Sequence, residues 1–503
     1  MENKSSRIVG VAIPKPLETI FDYQVPAGMT MPGLGSRLRV PFGKGELIGI
    51  CVETKSVSDA GQLREIVEVV DSESMVSADL LDLALWMAKY YHHPIGETLF
   101  TTIPPDIRKG KPLKLDKPRC WTINSSNSPT NRAPKQKSLY ELIEQIPGIS
   151  TEEISAAGFS LNTIQTLERD GRVKAIEPIQ NEKKEKSIDL NAEQKRALKA
   201  LNDRKAGYEC FLLDGITGSG KTEVYLQAIA SVIGTGRQAL VLVPEISLTP
   251  QTYQRFSNRF PKTGLMHSGI SHHNNLQTWL KCKEGKIDCL VGTRSAVFAP
   301  FQNLGIIIVD EEHDSSYKQQ EGLKYSARDV AVKRASQKKI PIILGSATPS
   351  VESINNVQNG KYSLLTLRTK ADNTRLPSHQ IVDLSNGKVI DGFSSKTLAA
   401  ITAHLSKQNQ VMIFINKRGF ARTLFCTSCG WKANCVRCEA RTTVHTNPDL
   451  LICHYCGWKE RLKTQCPECQ KPDLISLGQG TQKLEAVLGK HFPQTPIFRI
   501  DRD

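Results

Sequence analysis

The segment "LLDGITGSGKTEVYLQAIA" constrains this chain more than any other, because an apolar run, a glycine-rich turn and a helix-like stretch follow in a fixed order. Gly215 to Thr222 satisfy G-x-x-x-x-G-K-[ST], the phosphate loop. A loop of this kind sits where a strand feeds a helix, so it commits its neighbourhood to a parallel α/β sheet. Gly215, Gly218 and Gly220 let backbone amides approach phosphate oxygens, and Ile216, Thr217 and Ser219 complete the turn. Lys221 offers a point charge to the β and γ phosphates of ATP, and Thr222 offers a hydroxyl ligand to magnesium.

The surrounding residues agree. "ECFLLDG", "QALVLVP", "DCLVGT", "GIIIVDE" and "PIILGSA" are continuous apolar runs, the pattern of strands buried on both faces of a parallel sheet. The fourth run ends in acids, where Asp310 can hold magnesium and Glu311 can deprotonate an attacking water. Lys221, Asp310 and Glu311 are therefore the candidate catalytic residues.

At 503 residues the chain calls for several domains. Short alternating stretches from Arg7 to about Glu53 predict a β-rich module, followed by the helix-like "SADLLDLALWMAKYYH". Residues 108–137 have the Lys, Pro, Ser and Asn composition of a connector, even if part of it is an extended strand. Residues 138–180 read as three short helices and a turned ribbon, either a winged helix or a three-helix docking module. The formal charge of +15 points to a polyanionic partner such as nucleic acid. No apolar run reaches the roughly 18 residues of a membrane span, and the start lacks a signal-peptide core, so a cytoplasmic protein with no membrane partner is expected.

Eight of the 13 cysteines crowd between Cys426 and Cys469 as four Cys-x-x-Cys pairs. Two such knuckles complete a tetrahedral thiolate site with no open position, so two structural zinc ions are expected. Regular pairs without the cysteine run of bacterial ferredoxins favour zinc over an iron-sulfur cluster. Spacing alone leaves three ways of combining the pairs. Lys432, Arg437, Arg441, Lys459, Arg461 and Lys463 make the neighbourhood basic, which fits a DNA grip, a docking face or a solvated surface. Cys51, Cys120, Cys210, Cys282 and Cys289 read as small buried hydrophobes.

In order along the chain come "GITGSGKT", "LVPEISLT", "VGTRSAVF", "DEEH", "GSATPS", "NKRGFA" and "GQGT", which resemble superfamily 2 helicase motifs. With "FDY" upstream and the cysteine module, the chain resembles the PriA family, the primosomal protein N′ replication restart helicases, over its whole length. The fold that this implies is multidomain α/β. A 3′-end DNA-binding domain would occupy 1–107 and a winged helix 138–180. A RecA-like lobe would cover 181–370, and an incomplete second lobe 371–503 would carry the zinc insertion at 424–471.

The resemblance also implies ATP-driven 3′ to 5′ unwinding at stalled or collapsed forks, primosome assembly, and primosome proteins and single-strand binding protein as partners. It nests the zinc ligands, Cys426, Cys429, Cys466 and Cys469 on one ion and Cys435, Cys438, Cys453 and Cys456 on the other. Phe21, Asp22, Tyr23 and Gly43 match the family's pocket for a 3′ end on forked or single-stranded DNA, with the aromatic pair holding a base and the carboxylate a 3′ hydroxyl. Gln194 resembles the glutamine that reads adenine, and Ser346, Ala347, Thr348 and His313 an element coupling nucleotide to DNA movement. Tyr317 and Tyr325 lie in a stretch like the family's aromatic-rich loop, where rings stack on bases, although Leu323 stands where the pattern has Trp.

After Gly480 the late Gln, Gly and Arg motif of such motors is missing. This polypeptide alone is thus expected to hydrolyse ATP poorly, since finger arginines supply about 10³ or more in rate. The alternatives are another superfamily 2 translocase, or a fork-binding scaffold that uses ATP as a switch.

Overall fold

The computed structural model describes residues 7–71, 73–110, 120–125, 128–129, 133–176, 188–203, 207–245, 250–372, 374, 377–383, 389–390, 393–414, 423–426, 428–438, 440–446, 449–477 and 481–500. Two compact units result, 1–376 and 377–503. "NKRGFA", most of "GQGT" and the second half of "LVPEISLT" lie outside the described residues.

The chain begins with strands Ile8–Ala12, Phe21–Gln24, Arg37–Phe42 and Gly45–Lys55, paired antiparallel. One continuous stretch then covers both free edges. Arg64–Glu65 pairs with Phe21–Gln24, and Glu68–Val69 pairs with Arg37–Phe42. The sheet thereby curls into a small barrel whose two edges are partly covered, which shields them from a foreign strand. Its interior holds Val9, Val11, Tyr23, Leu38, Val40, Cys51 and Ile66.

Helices Ala78–Tyr90 and Ile95–Thr101 follow, and their apolar faces share a core with the helicase-like lobe. Leu80, Leu83, Met87 and Leu99 belong to the same cluster as Trp279, Phe298 and Val330. A buried ion pair crosses this seam. Arg334, fully buried, lies 3.1 Å from Asp79 and donates to the carbonyls of Val297 and Ala299 at 2.7 and 2.8 Å. Burial would raise the Asp79 carboxyl, but Arg334, the Ser77 hydroxyl and Lys338 together hold it below its ordinary value. The stabilisation is therefore complete above that ordinary value and disappears as pH falls through the depressed one. Asp79→Ala leaves a buried guanidinium uncompensated and should lower the unfolding free energy by about 3 kcal/mol, read from urea denaturation at neutral pH.

Residues 108–137 are not all connector. Cys120–Ile123 is the central strand of a three-stranded sheet with Ile149–Ser150 and Val173–Ile176, and helix Pro134–Gln145 begins inside the same stretch. With Thr151–Ala156 and Leu161–Arg169 these form three helices beside a three-stranded antiparallel sheet. The extended strand that the composition allowed in this stretch is Cys120–Ile123. Its Trp121 is buried and donates to the Thr151 hydroxyl at 2.9 Å.

The lobe is a seven-stranded parallel sheet ordered Thr263–Met266, Cys289–Gly292, Gln238–Leu242, Leu304–Val309, Pro341–Ser346, Glu209–Gly215 and Ser363–Leu367. Separate apolar clusters cover its two faces, which is why its central strands are apolar throughout. The order sets Pro341–Ser346 between the strand that feeds the phosphate loop and the strand that ends at Asp310.

In the second unit, helices Ser395–Leu405 and Thr481–His491 pack with Val411, Ile413 and Ile497. Residues 411–414 and 497–500 form no described ladder. Leu474–Leu477 pairs antiparallel with Thr423–Cys426 at the base of the cysteine module. Among the described residues no helix is long and apolar enough to cross a membrane.

Candidate nucleotide site and zinc centres

Helix Lys221–Ile233 starts directly after a loop in which Gly218 and Gly220 have φ of +81° and +80°. At Gly220 the reason is visible, since a Cβ would stand 2.3 Å from the Gln194 amide nitrogen. Gln194 is buried, donates to the Ser219 carbonyl at 2.8 Å and accepts from the Asn191 amide at 2.9 Å. The structure thus sets Gln194 against the phosphate loop as a brace. Lys221 Nζ donates to the Gly215 carbonyl at 2.9 Å and lies 3.9 Å from Glu311 Oε1. Thr222 occupies the first turn of the helix.

The three consecutive acids of "DEEH" have separate surroundings. Asp310 is held by the Tyr225 hydroxyl at 2.9 Å; burial, then the charge of Glu311, push its carboxyl above its ordinary value. Glu312 is buried and committed, accepting from Arg328, the Ser350 amide and the Ser353 hydroxyl at 3.1, 2.6 and 2.9 Å. Glu311 alone turns toward solvent, with its backbone at φ +45°. A non-glycine residue in that region stores strain, and such strain gathers at functional sites. His313 Nδ1 lies 3.7 Å from Glu311 and 2.7 Å from the Ser346 hydroxyl, and Thr348 lies 3.4 Å from Nε2, so "DEEH" and "GSATPS" touch.

Sequence reasoning missed Tyr225 and Glu312. In the structure Gly345 makes room for Tyr225, since a Cβ there would stand 1.6 Å from the tyrosine oxygen. The donor set fits magnesium and a triphosphate: a half-buried carboxylate at the end of a strand, a lysine within reach, and a phosphate-loop hydroxyl, Ser219, with no partner among the described residues.

Tyr317 and Tyr325 are not stacking platforms. Both rings are 3% exposed; Tyr317 donates to the Asp310 carbonyl at 2.6 Å, and Tyr325 packs 5.2 Å from Phe298. Leu323 is buried as well. A sequence names a ring but not the side it faces.

The 3′-end quartet is also divided. Period-two alternation puts Phe21 and Tyr23 on one face of their strand and Asp22 on the other. Tyr23 is in the barrel core with its hydroxyl on the Pro41 carbonyl at 3.0 Å. Phe21 meets Phe42 edge to face at 5.4 Å, and Arg64 reaches the Gly43 carbonyl at 3.3 Å. Asp22 pairs outside with Lys55 at 2.9 Å and Ser58 at 2.5 Å. Burial would raise its carboxyl, but these hydrogen bonds outweigh that and hold it below its ordinary value.

The cysteine pairs assemble in nested fashion. Cys426, Cys429, Cys466 and Cys469 form one cluster, and Cys435, Cys438, Cys453 and Cys456 the other, with all sulfurs of a cluster within 4.8 Å of one another. Cross-knuckle Sγ distances are 3.5 and 3.6 Å in the first and 3.5 Å twice in the second. Four thiolates at about 2.3 Å from one zinc stand roughly 3.8 Å apart, so both clusters fit the ion. Gly430 and Gly457 close two knuckles in the left-handed region, and Gln470 closes a third at φ +58°. The five other cysteines are buried, as expected of small hydrophobes.

A phosphate loop, an acidic strand end and a coupled "GSAT" turn on a seven-stranded parallel sheet define a helicase lobe, here fused to a barrel and a zinc module. Family models match as a 3′ DNA-binding domain over residues 10–104, a DEAD/DEAH box helicase over 191–357 and the PriA DNA helicase Cys-rich region over 435–461. Replication restart protein PriA of Haemophilus influenzae is 38% identical over 517 residues, 99% of this chain and 70% of that protein. The Bacillus subtilis protein is 33% identical, over 97% and 71%. That of Chlamydia pneumoniae is 34% identical, over 99% and 69%. The chain belongs to the PriA family of DNA helicases, and its cysteine clusters are two zinc sites.

Proposed function

We propose that the chain is an ATP-hydrolysing 3′ to 5′ DNA helicase of replication restart. It would bind stalled or collapsed forks in the cytoplasm and seed primosome assembly with primosome proteins and single-strand binding protein. The observation that carries this reading is the approach of Lys221 to Glu311 beside half-buried Asp310, in a lobe that shares its core with the 3′ DNA-binding domain.

Lys221 exchanges the Gly215 carbonyl for β and γ phosphate oxygens, while loop amides from Gly215 to Thr222 cradle the phosphates. Thr222 and Asp310 would hold magnesium, which when bound would supply positive charge to the phosphoryl oxygens. Glu311 accepts a proton from the attacking water as the bond from the γ phosphorus to ADP breaks. His313 relays the change to Ser346 and Thr348. Gln194 keeps the loop in place, and the zinc ions hold the cysteine module.

The test is unwinding of paired directional substrates with magnesium and ATP. Displacement, slow for this polypeptide acting alone, is expected only where a 3′ single strand is available for loading, and Lys221→Ala should abolish it while leaving fork binding. A variant that still supports restart without hydrolysis would mark the protein as a scaffold, and 5′ to 3′ displacement would reverse the assigned direction.

A further inference from the structure

Beyond strand Ser363–Leu367 the chain turns back over the phosphate loop as a strap, residues 367–372. Two backbone hydrogen bonds seat it there. The Ile216 amide donates to the Leu367 carbonyl at 3.1 Å, and the Ala371 amide donates to the Gly218 carbonyl at 2.8 Å. Each loop glycine faces one strap residue. A Cβ at Gly215 would stand 3.2 Å from Leu367 Cβ, one at Gly220 3.4 Å from Ala371 Cβ, and one at Gly218 3.9 Å from Lys370 Cγ. The absence of side chains in the loop thus admits the strap as well as the phosphates.

The strap has its own anchor. Glu193, next to the brace Gln194, accepts from the Arg368 and Thr369 amides at 2.7 and 2.9 Å. Arg368 is paired with Asp214 and is committed. Lys370 is not committed in this way. Its stem lies along Gly218, half-buried, and its ammonium donates to the neutral Thr374 hydroxyl at 3.2 Å. The acid closest in the strap, Asp372, already accepts from the Thr374 amide and hydroxyl at 3.0 and 2.8 Å.

We propose that Lys370 is a second ammonium of the nucleotide site, contacting a phosphate oxygen of bound ATP or ADP from the strap. The proposal rests on the phosphate-loop reading of residues 215–222. A polyphosphate brings more negative charge than Lys221 alone offsets, and a cation held at the loop by backbone bonds meets it with little to reorganise. The flexible stem lets the ammonium exchange the Thr374 hydroxyl for a charged acceptor, which is the stronger bond.

The experiment is calorimetric titration of the full chain with magnesium ADP, beside thermal melting without nucleotide. Lys370→Ala should weaken ADP binding about tenfold, whereas Lys370→Arg, which keeps the charge, should bind close to wild type. Raising the salt should narrow the gap between Lys370→Ala and wild type, because a charge contact is screened. Melting without nucleotide should not move in either variant. Wild-type ADP affinity in Lys370→Ala, with Lys221→Ala losing it, would strike this proposal and leave the phosphate loop standing. Equal losses in the Ala and Arg variants, or a melting temperature that falls in step with affinity, would make the strap a structural support and overturn the contact. A wild-type chain that binds no ADP would overturn the phosphate-loop reading along with it.

Discussion

Glu311→Gln leaves binding of magnesium and ATP near the wild-type level and slows DNA-stimulated hydrolysis by about 10²–10⁴. The expectation follows from how the three acids are deployed. Asp310 is tied to Tyr225, and Glu312 is spent on Arg328, Ser350 and Ser353, so Glu311 is the one carboxylate of the three open to water. Glutamine keeps its shape and most of its hydrogen bonds but accepts no proton. The same exchange at Glu312 would act differently, weakening a buried network behind the "GSATPS" turn. The measurement is steady-state hydrolysis beside nucleotide titration, and a Glu311→Gln rate within twofold of wild type would sink the assignment.

Removing the zinc ions should unfold the cysteine module while leaving residues 7–376 protected from hydrogen exchange. The apolar core of the module is small, with Leu424, Ala433, Val444 and Leu451 fully inside. So little buried surface cannot offset the entropy of ordering the intervening loops. Structural zinc contributes on the order of 10–16 kcal/mol in small domains, so the metal supplies most of what keeps this module folded. Metal analysis should give two zinc equivalents, and chelation should collapse protection across 423–477. Mainly iron, or a module still protected after both ions leave, would refute this.

Legibility followed burial. The five central strands of the lobe were readable because a strand covered on both faces must be apolar along its length. The edge strands Thr263–Met266 and Ser363–Leu367 were not, because each is short and partly exposed. The phosphate loop and the cysteine knuckles were readable because their chemistry fixes spacing. Facing was lost: Tyr23, Tyr317 and Tyr325 have the residue type of a DNA contact, yet packing turned all three inward. Long-range partners were lost as well, since nothing near Tyr225 announces an acceptor 85 residues away.

The seam at Asp79 and Arg334 sets a rule for anyone rebuilding this protein. A barrel taken from a relative and grafted near residue 107 would arrive with its own helix end and meet a foreign Ala327–Lys338 helix. The guanidinium would lose its counter-ion and the Tyr91 hydroxyl its amide. The unit of exchange is therefore barrel, helix pair and lobe together. Although these modules are distinct to the eye, they can be inherited only as one piece.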